Sequence, residues 1–244
     1  MKKIRNLVLF AVVVSLGSLF LISCGTGGDG GGSPYSVLGV MSTDTTGLGL
    51  RAIWIVKNGK VDFSNYDQPI TGESWVTDAT VTISNETLGT SEVVPFTTYY
   101  GAGYFVSPTF PIIEGNRISV RIEIDSDTIT GDSTLVPNPI YYNLGPAVAT
   151  LPFTASWEVI HPIPSYEASQ TAFDIVGQTT DEGHAVIIPI SQTSIQLTSA
   201  LLSPGQYEMG VMGGNPMNLH GAASGSIIYA VGGVPAEVDP MIIN

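Results

Sequence analysis

Three histidines, one cysteine and a knot of acids are the side chains with reactive potential in this 244-residue chain. His184 stands in Asp181-Glu182-Gly183-His184, His161 precedes a proline, and His220 lies in Asn218-Leu219-His220-Gly221. An imidazole close to a carboxylate is the beginning of a general base. A triad also needs a nucleophile, and the elbow pattern Gly-x-Ser-x-Gly is missing, since Ser224 has Ala222 where the first glycine belongs. No His-Glu-x-x-His or paired-histidine spacing points to zinc. The histidines therefore read as loop residues. A hydrolase built on His184 with Asp181 or Glu182 is the catalytic alternative.

The acids gather in Glu123, Asp125, Asp127 and Asp132, at the end of an alternating segment. Oxygen-rich loops of this kind hold calcium, but Ile129 stands where a third ligand belongs and no Glu closes the loop. The simpler reading is the solvated face of an edge strand, where charge discourages sheet-to-sheet association. Trp54, Trp75, Tyr99, Tyr100, Tyr104, Tyr141 and Tyr142 offer rings for stacking on sugars, which makes a carbohydrate-binding module a further alternative. Two β cores and their rims use as many aromatics for packing alone. In Tyr99-Tyr100 and Tyr141-Tyr142 the two rings must fall on opposite faces of a strand, leaving one of each pair outward.

The cysteine is more specific. Lys2, Lys3 and Arg5 form a positive start, and Leu7 to Ile22 then runs without a charge. That run suits the apolar region of a signal peptide and falls short of the roughly 20 residues of a membrane-spanning helix. It ends in Leu21-Ile22-Ser23-Cys24, which resembles the lipobox of bacterial lipoproteins. The resemblance implies cleavage before Cys24, a thioether-linked diacylglycerol on its sulfur and an N-acyl chain such as palmitate. It also makes Cys24, the chain's single cysteine, the lipidation site and removes it as a nucleophile. Gly25 to Ser33 holds six glycines in nine residues. Such a segment is a flexible tether with a mean reach of roughly 15–18 Å.

Composition sets the remaining limits. Hydrophobic residues make up 43% of the chain, too many for disorder, and one Cys excludes a disulfide scaffold. Eight Lys and Arg against 21 Asp and Glu give a formal charge of −13, the wrong sign for nucleic acid. Without residues 1–23 the balance is five basic residues against the same 21 acids, or −16. An anionic membrane surface repels such a body, so attachment falls to the acyl chains.

From Tyr35 onward no long stretch has helical periodicity; period-two alternation is broken by Gly, Pro, Asn and Asp at short intervals. Ala79, Val81 and Ile83 share one face, as do Ile118, Val120, Ile122 and Ile124. Asn58-Gly59 between two apolar runs predicts a two-residue hairpin. Asp78-Ala79-Thr80-Val81-Thr82-Ile83, Gly103-Tyr104 and Glu114-Gly115-Asn116-Arg117-Ile118-Ser119-Val120 resemble carboxypeptidase-regulatory-like and related immunoglobulin-like domains. Pro137 to Pro152 has the composition of a connection. Beyond it Trp157 sits early in an alternating strand. Leu202-Ser203-Pro204-Gly205-Gln206-Tyr207 then resembles the tyrosine corner of fibronectin type III domains, with one residue fewer before the tyrosine.

The expectation is an all-β chain: two tandem immunoglobulin-like antiparallel β-sandwiches at 35–145 and 146–244, after a cleaved signal peptide (1–23) and a lipidated, glycine-rich tether (24–34). With no cofactor and no catalytic set expected, the sequence reads as a lipid-anchored, non-catalytic envelope protein. Its first-choice address is the outer membrane. Its partners would be the membrane through the anchor and either an envelope protein or a polysaccharide.

Overall fold

Alternation decides the strands. In β10 (Arg117–Ile124), Ile118, Val120, Ile122 and Ile124 are buried while Arg121 and Glu123 face water. β6 (Thr80–Asn85) buries Val81 and Ile83, and β14 (Phe153–Ile160) buries Phe153, Ala155 and Trp157. The computed structural model describes residues 33–43, 51–61, 70–71, 74–99, 102–180 and 182–244; the expected signal segment, Cys24 and most of the tether lie outside them. Among the described residues the chain is all-β, and its helical content is a single 3-10 turn at Pro164–Tyr166.

The sheets stack as sandwiches around two principal cores. In the first, a five-stranded sheet runs in the order β19 (Leu219–His220), β11 (Asp127–Leu135), β10, β6 and β7 (Thr90–Val94). Its Val81, Ile83, Ile118 and Ile122 pack on Val37 and Met41 of β1 (Tyr35–Ser42), Ile53 and Ile55 of β2 (Arg51–Lys57), and Phe105 of β9 (Ala102–Val106). In the second, β14 lies between β12 (Ile140–Gly145) and β17 (Ser194–Leu197). This group sets Tyr141, Trp157 and Leu197 against Phe173 and Ile175 of β15 (Gln170–Gly177) and Ile188 of β16 (Gly183–Pro189). The Trp157 and Phe173 rings are stacked, with centroids 5.7 Å apart.

Two long strands belong to both sandwiches. β18 (Gly205–Met217) puts Tyr207, Met209 and Val211 into the second core and Met217 into the first. β20 (Ile227–Ile243) runs antiparallel to it, with Ile228 and Ala230 in the first core and Met241 and Ile243 in the second. One large sheet results, ordered β16-β15-β18-β20-β1-β2-β9-β8, where β8 is Phe96–Tyr99. The position 145/146 in sequence is thus spanned in space by a continuous ladder. β20 also pairs in parallel with β1, Leu38 opposite Ile227 through Ser42 opposite Val231. β1 is buried on both faces, between an antiparallel neighbour, β2, and a parallel one, β20.

Two local expectations fail for identifiable reasons. Asn58 does take the left-handed conformation, with φ 50°, but β3 (Lys60–Val61) pairs with β4 (Ile70–Thr71) and forms no hairpin with β2. β2 already has β1 along one edge, with Tyr35 opposite Lys57, and β9 and β5 (Ser74–Trp75) along the other. The proline-rich stretch from Pro137 is packed, with no linker character: Pro137, Asn138 and Pro139 are buried, and β12 and β13 (Val148–Ala149) join β20. Gly233, at φ +87°, makes this possible, since a Cβ there would stand 1.9 Å from the Pro139 carbonyl oxygen.

A fragment of residues 35–145 therefore lacks the strand that pairs with β1 and the side chains Met217, Leu219, Ile228 and Ala230 of its own core. Expressed alone, it should give no sharp near-ultraviolet circular dichroism and no cooperative thermal transition. A cooperative transition in that fragment would contradict the shared-strand architecture.

Candidate functional site

The carboxylate two residues before His184, that of Glu182, is committed elsewhere. Glu182 accepts from the Ser203 backbone N–H and hydroxyl, each at 2.6 Å, and from the Tyr207 hydroxyl at 2.8 Å. The Ser203 bonds foremost, with Tyr207 adding, hold the Glu182 carboxyl below the ordinary carboxylate range. The Tyr207 hydroxyl also lies 2.8 Å from the carbonyl oxygen of Ser203, four residues upstream. Its single proton is shared between carboxylate and carbonyl. The Tyr207 hydroxyl thus ties the chain back on itself between Ser203 and Tyr207, and Leu202 and Tyr207 are both buried.

His184 pairs with Ile175 in the strand ladder and shares a face with Val186 and Ile188. Burial lowers its pKa, so the ring is neutral at neutral pH, and it has no hydrogen-bond partner among the described residues. Asp181 lies outside those residues. His161 is likewise without a partner at Nδ1, and His220 Nε2 is 3.2 Å from the Asp132 carboxylate in an exposed pair. The structure does not bring these three histidines to one place with a nucleophile.

Of the acids Glu123, Asp125, Asp127 and Asp132, Asp125 and Asp127 stand together at the β10–β11 hairpin near the Tyr35 hydroxyl, and the other two are engaged elsewhere. Glu123 pairs with Arg121 at 2.8 Å on the water-facing side of β10. Asp125 is a hairpin residue at φ 51° and accepts from the Tyr35 hydroxyl at 3.1 Å. Asp132 takes His220. Among the described residues no group of three or more acids, histidines or cysteines has the spacing of a metal site.

The rings divide as strand geometry requires. Tyr141 is buried with its hydroxyl 2.8 Å from the Thr171 hydroxyl, while Tyr142 is half-exposed and bonded to Glu158. Trp54 is fully buried against Tyr104, centroids 5.7 Å apart, and Trp75 is half-buried on the same cluster. Tyr100 and the side chain of Tyr99 lie outside the described residues. Of the described rings, Trp54 and Tyr141 are core residues, Trp75 and Tyr104 pack against the Trp54 cluster, and Tyr142 stands partly exposed.

The most unusual group is Asp174, which sequence reading passes over. Its place between Phe173 and Ile175 predicts a solvent-facing acid, yet it is 2% exposed and its Oδ2 has no hydrogen-bond partner. Desolvation first, then Glu208 and Glu237, push its pKa well above the carboxylate range. The only hint in the sequence is Gly210, and it becomes meaningful only once β15 and β18 are known to be neighbours.

No protein-family model matches this chain, and no curated protein matches it.

Tyr207→Phe removes the hydroxyl shared by Glu182 and Ser203. It should lower the unfolding free energy by about 1.5–3 kcal/mol, the range for a hydrogen bond to a charged group. Equilibrium denaturation gives this value, and Glu182→Gln should cost less in the Tyr207→Phe background than alone. Strict additivity would mean that the two groups are not coupled.

Proposed function

We propose that this chain is a lipid-anchored bacterial cell-envelope protein whose β-sandwich body has a binding or structural role and no catalytic one. The observation that carries the reading is Leu21-Ile22-Ser23-Cys24, which places the one cysteine of the chain at the end of an uncharged run. Cleavage before Cys24 and acylation of its sulfur and new amino group would supply two or three chains. At about 0.8 kcal/mol per buried CH₂, that number gives stable attachment where one chain does not.

Two further features support it, and a third observation is neutral to it. The tether from Gly25 to Ser33 has no side chains able to bury surface, which suits a spacer between bilayer and body. The acidic balance disfavours adsorption on anionic lipid. No helix among the described residues is long and apolar enough to cross a membrane. Gly25 follows the cysteine where an acid favours retention in the inner membrane of some bacteria, so the outer membrane is the proposed address. The partners in this reading are the membrane itself and an envelope protein or polysaccharide met by the body.

Metabolic labelling with an alkyne analogue of palmitate tests the anchor. The wild-type chain should be labelled and should partition into detergent, and Cys24→Ala should do neither. Equal labelling of both would end the proposal.

A further inference from the structure

Four carboxyl groups stand on one face of the β15–β18–β20 sheet, the face turned away from the second core. Asp174 pairs with Gly210 of β18, and Gly210 pairs with Glu237 of β20. Without a side chain at 210, the Asp174 carboxyl leans across β18 towards β20: a Cβ on Gly210 would stand 2.8 Å from its Oδ1. Glu208 lies on the same face of β18, two residues before Gly210. There the ladder is interrupted, since Tyr207 pairs with Met241 and Met209 with Val238. Asp239 and Pro240 are the residues left opposite Glu208. The ladder slips again between Val211 and Gly213, so irregularities bracket the acids.

The surroundings supply little compensation. From β16, Ala185 stands beside Asp174, and His184 is on the opposite face. From the turn after β15, the Gln178 amide donates to Asp239. No ion pair among the described residues reaches Asp174, Glu208, Glu237 or Asp239. Their oxygens do not meet the spacing of a metal site either. Glu237 and Asp239 are exposed and water screens them; Asp174 has no such access.

Like charges at facing strand positions are destabilising, and an unpaired carboxylate out of water is stable only when protonated. We infer that this carboxyl row is a proton-held clasp: protonated, it lets the 236–243 stretch of β20 lie on β18, and ionised, it loosens that stretch while the five-stranded sheet stays closed. Burial, then Asp239 and Glu237, push Glu208 up to about 7. Asp174 lies in the same direction, and the neighbouring acids lose protons as a coupled set. The sign follows from linkage. Groups raised in the folded state stabilise it below their ordinary pKa values, and that contribution is lost as pH rises through about 7.

Hydrogen exchange on the full chain, corrected for chemical exchange and compared at about pH 5.5 and about pH 8.5, tests the clasp. Amides of 205–211 and 236–243 should lose about tenfold or more of their protection at the higher pH, the equivalent of one carboxyl displaced by one unit. Amides of 118–124 should keep theirs. Asp174→Asn should flatten the difference, and Glu208→Gln, at a half-buried position, gives the same reading if Asp174→Asn does not fold. Equal protection at both pH values would overturn the inference. So would a loss shared equally by 118–124, or a pH dependence unchanged in Glu208→Gln and in any folded Asp174→Asn.

Discussion

The antiparallel pairing of β18 with β20 is the constraint on which the rest of the fold depends. β18 has 13 residues, a length of roughly 43 Å at about 3.3 Å per residue, longer than one sandwich needs. Its two ends, with those of β20, supply side chains to both cores. A sandwich that borrows strands cannot close by itself. Removing β18 or β20 as a whole would open both cores, because the two sandwiches are joined by a shared backbone ladder. The close passage of Gly232 and Gly233 under Pro137 and Pro139 fixes where the ladder crosses from one core to the other.

The second sandwich contains two opposite treatments of a carboxyl group. Glu182 receives three donors, from Ser203 and from Tyr207, and its ionised form is favoured. Asp174 receives no hydrogen bond at Oδ2 and faces two further acids, so its neutral form is favoured. The first ties a corner down wherever pH exceeds the low carboxylate range. The second places an opposing pH dependence on the same sheet, because folding there retains protons that the unfolded chain would release. Where a carboxylate finds donors it acts as a staple; where it finds only other acids it makes the ladder conditional.

Local pattern made much of this architecture legible. Ile118 to Ile124, Val81 with Ile83, and Phe153 to Trp157 could be assigned to buried faces because alternation depends only on the pleat. The resemblance of Leu202-Ser203-Pro204-Gly205-Gln206-Tyr207 to a fibronectin type III tyrosine corner implies a bond such as the one Tyr207 makes to the Ser203 carbonyl oxygen. What could not be read was competition among distant partners. Asn58-Gly59 favours a hairpin locally, and β1 wins that edge of β2 from a position more than a turn away in sequence. The parallel pairing of β1 with β20 joins segments at the two ends of the body and leaves no periodic trace. For the same reason Pro137 to Pro139 looked like a connection: its burial is created by β20. Asp174 carries no signal of its burial in the sequence. The neighbours that desolvate it come from other strands.

The charges complete the argument about what such a body can do. Arg121 is engaged with Glu123, Arg51 is buried and donates to the Pro108 carbonyl oxygen, and the Lys57 ammonium lies over the Tyr35 ring. These three cations serve intramolecular contacts, Arg117 is exposed, and the balance of five basic residues against 21 acids after residue 23 stays acidic. The body's own field is therefore repulsive towards a membrane within about a Debye length, roughly 8–10 Å at ordinary ionic strength. Gly25 to Ser33, in the proposed reading, would act as a spacer with a mean reach of roughly 15–18 Å, which exceeds that distance. In the proposed reading the two lengths are matched: the acyl chains hold the protein to the bilayer, and the spacer lets the acidic sandwiches stand outside the range in which they would be pushed away.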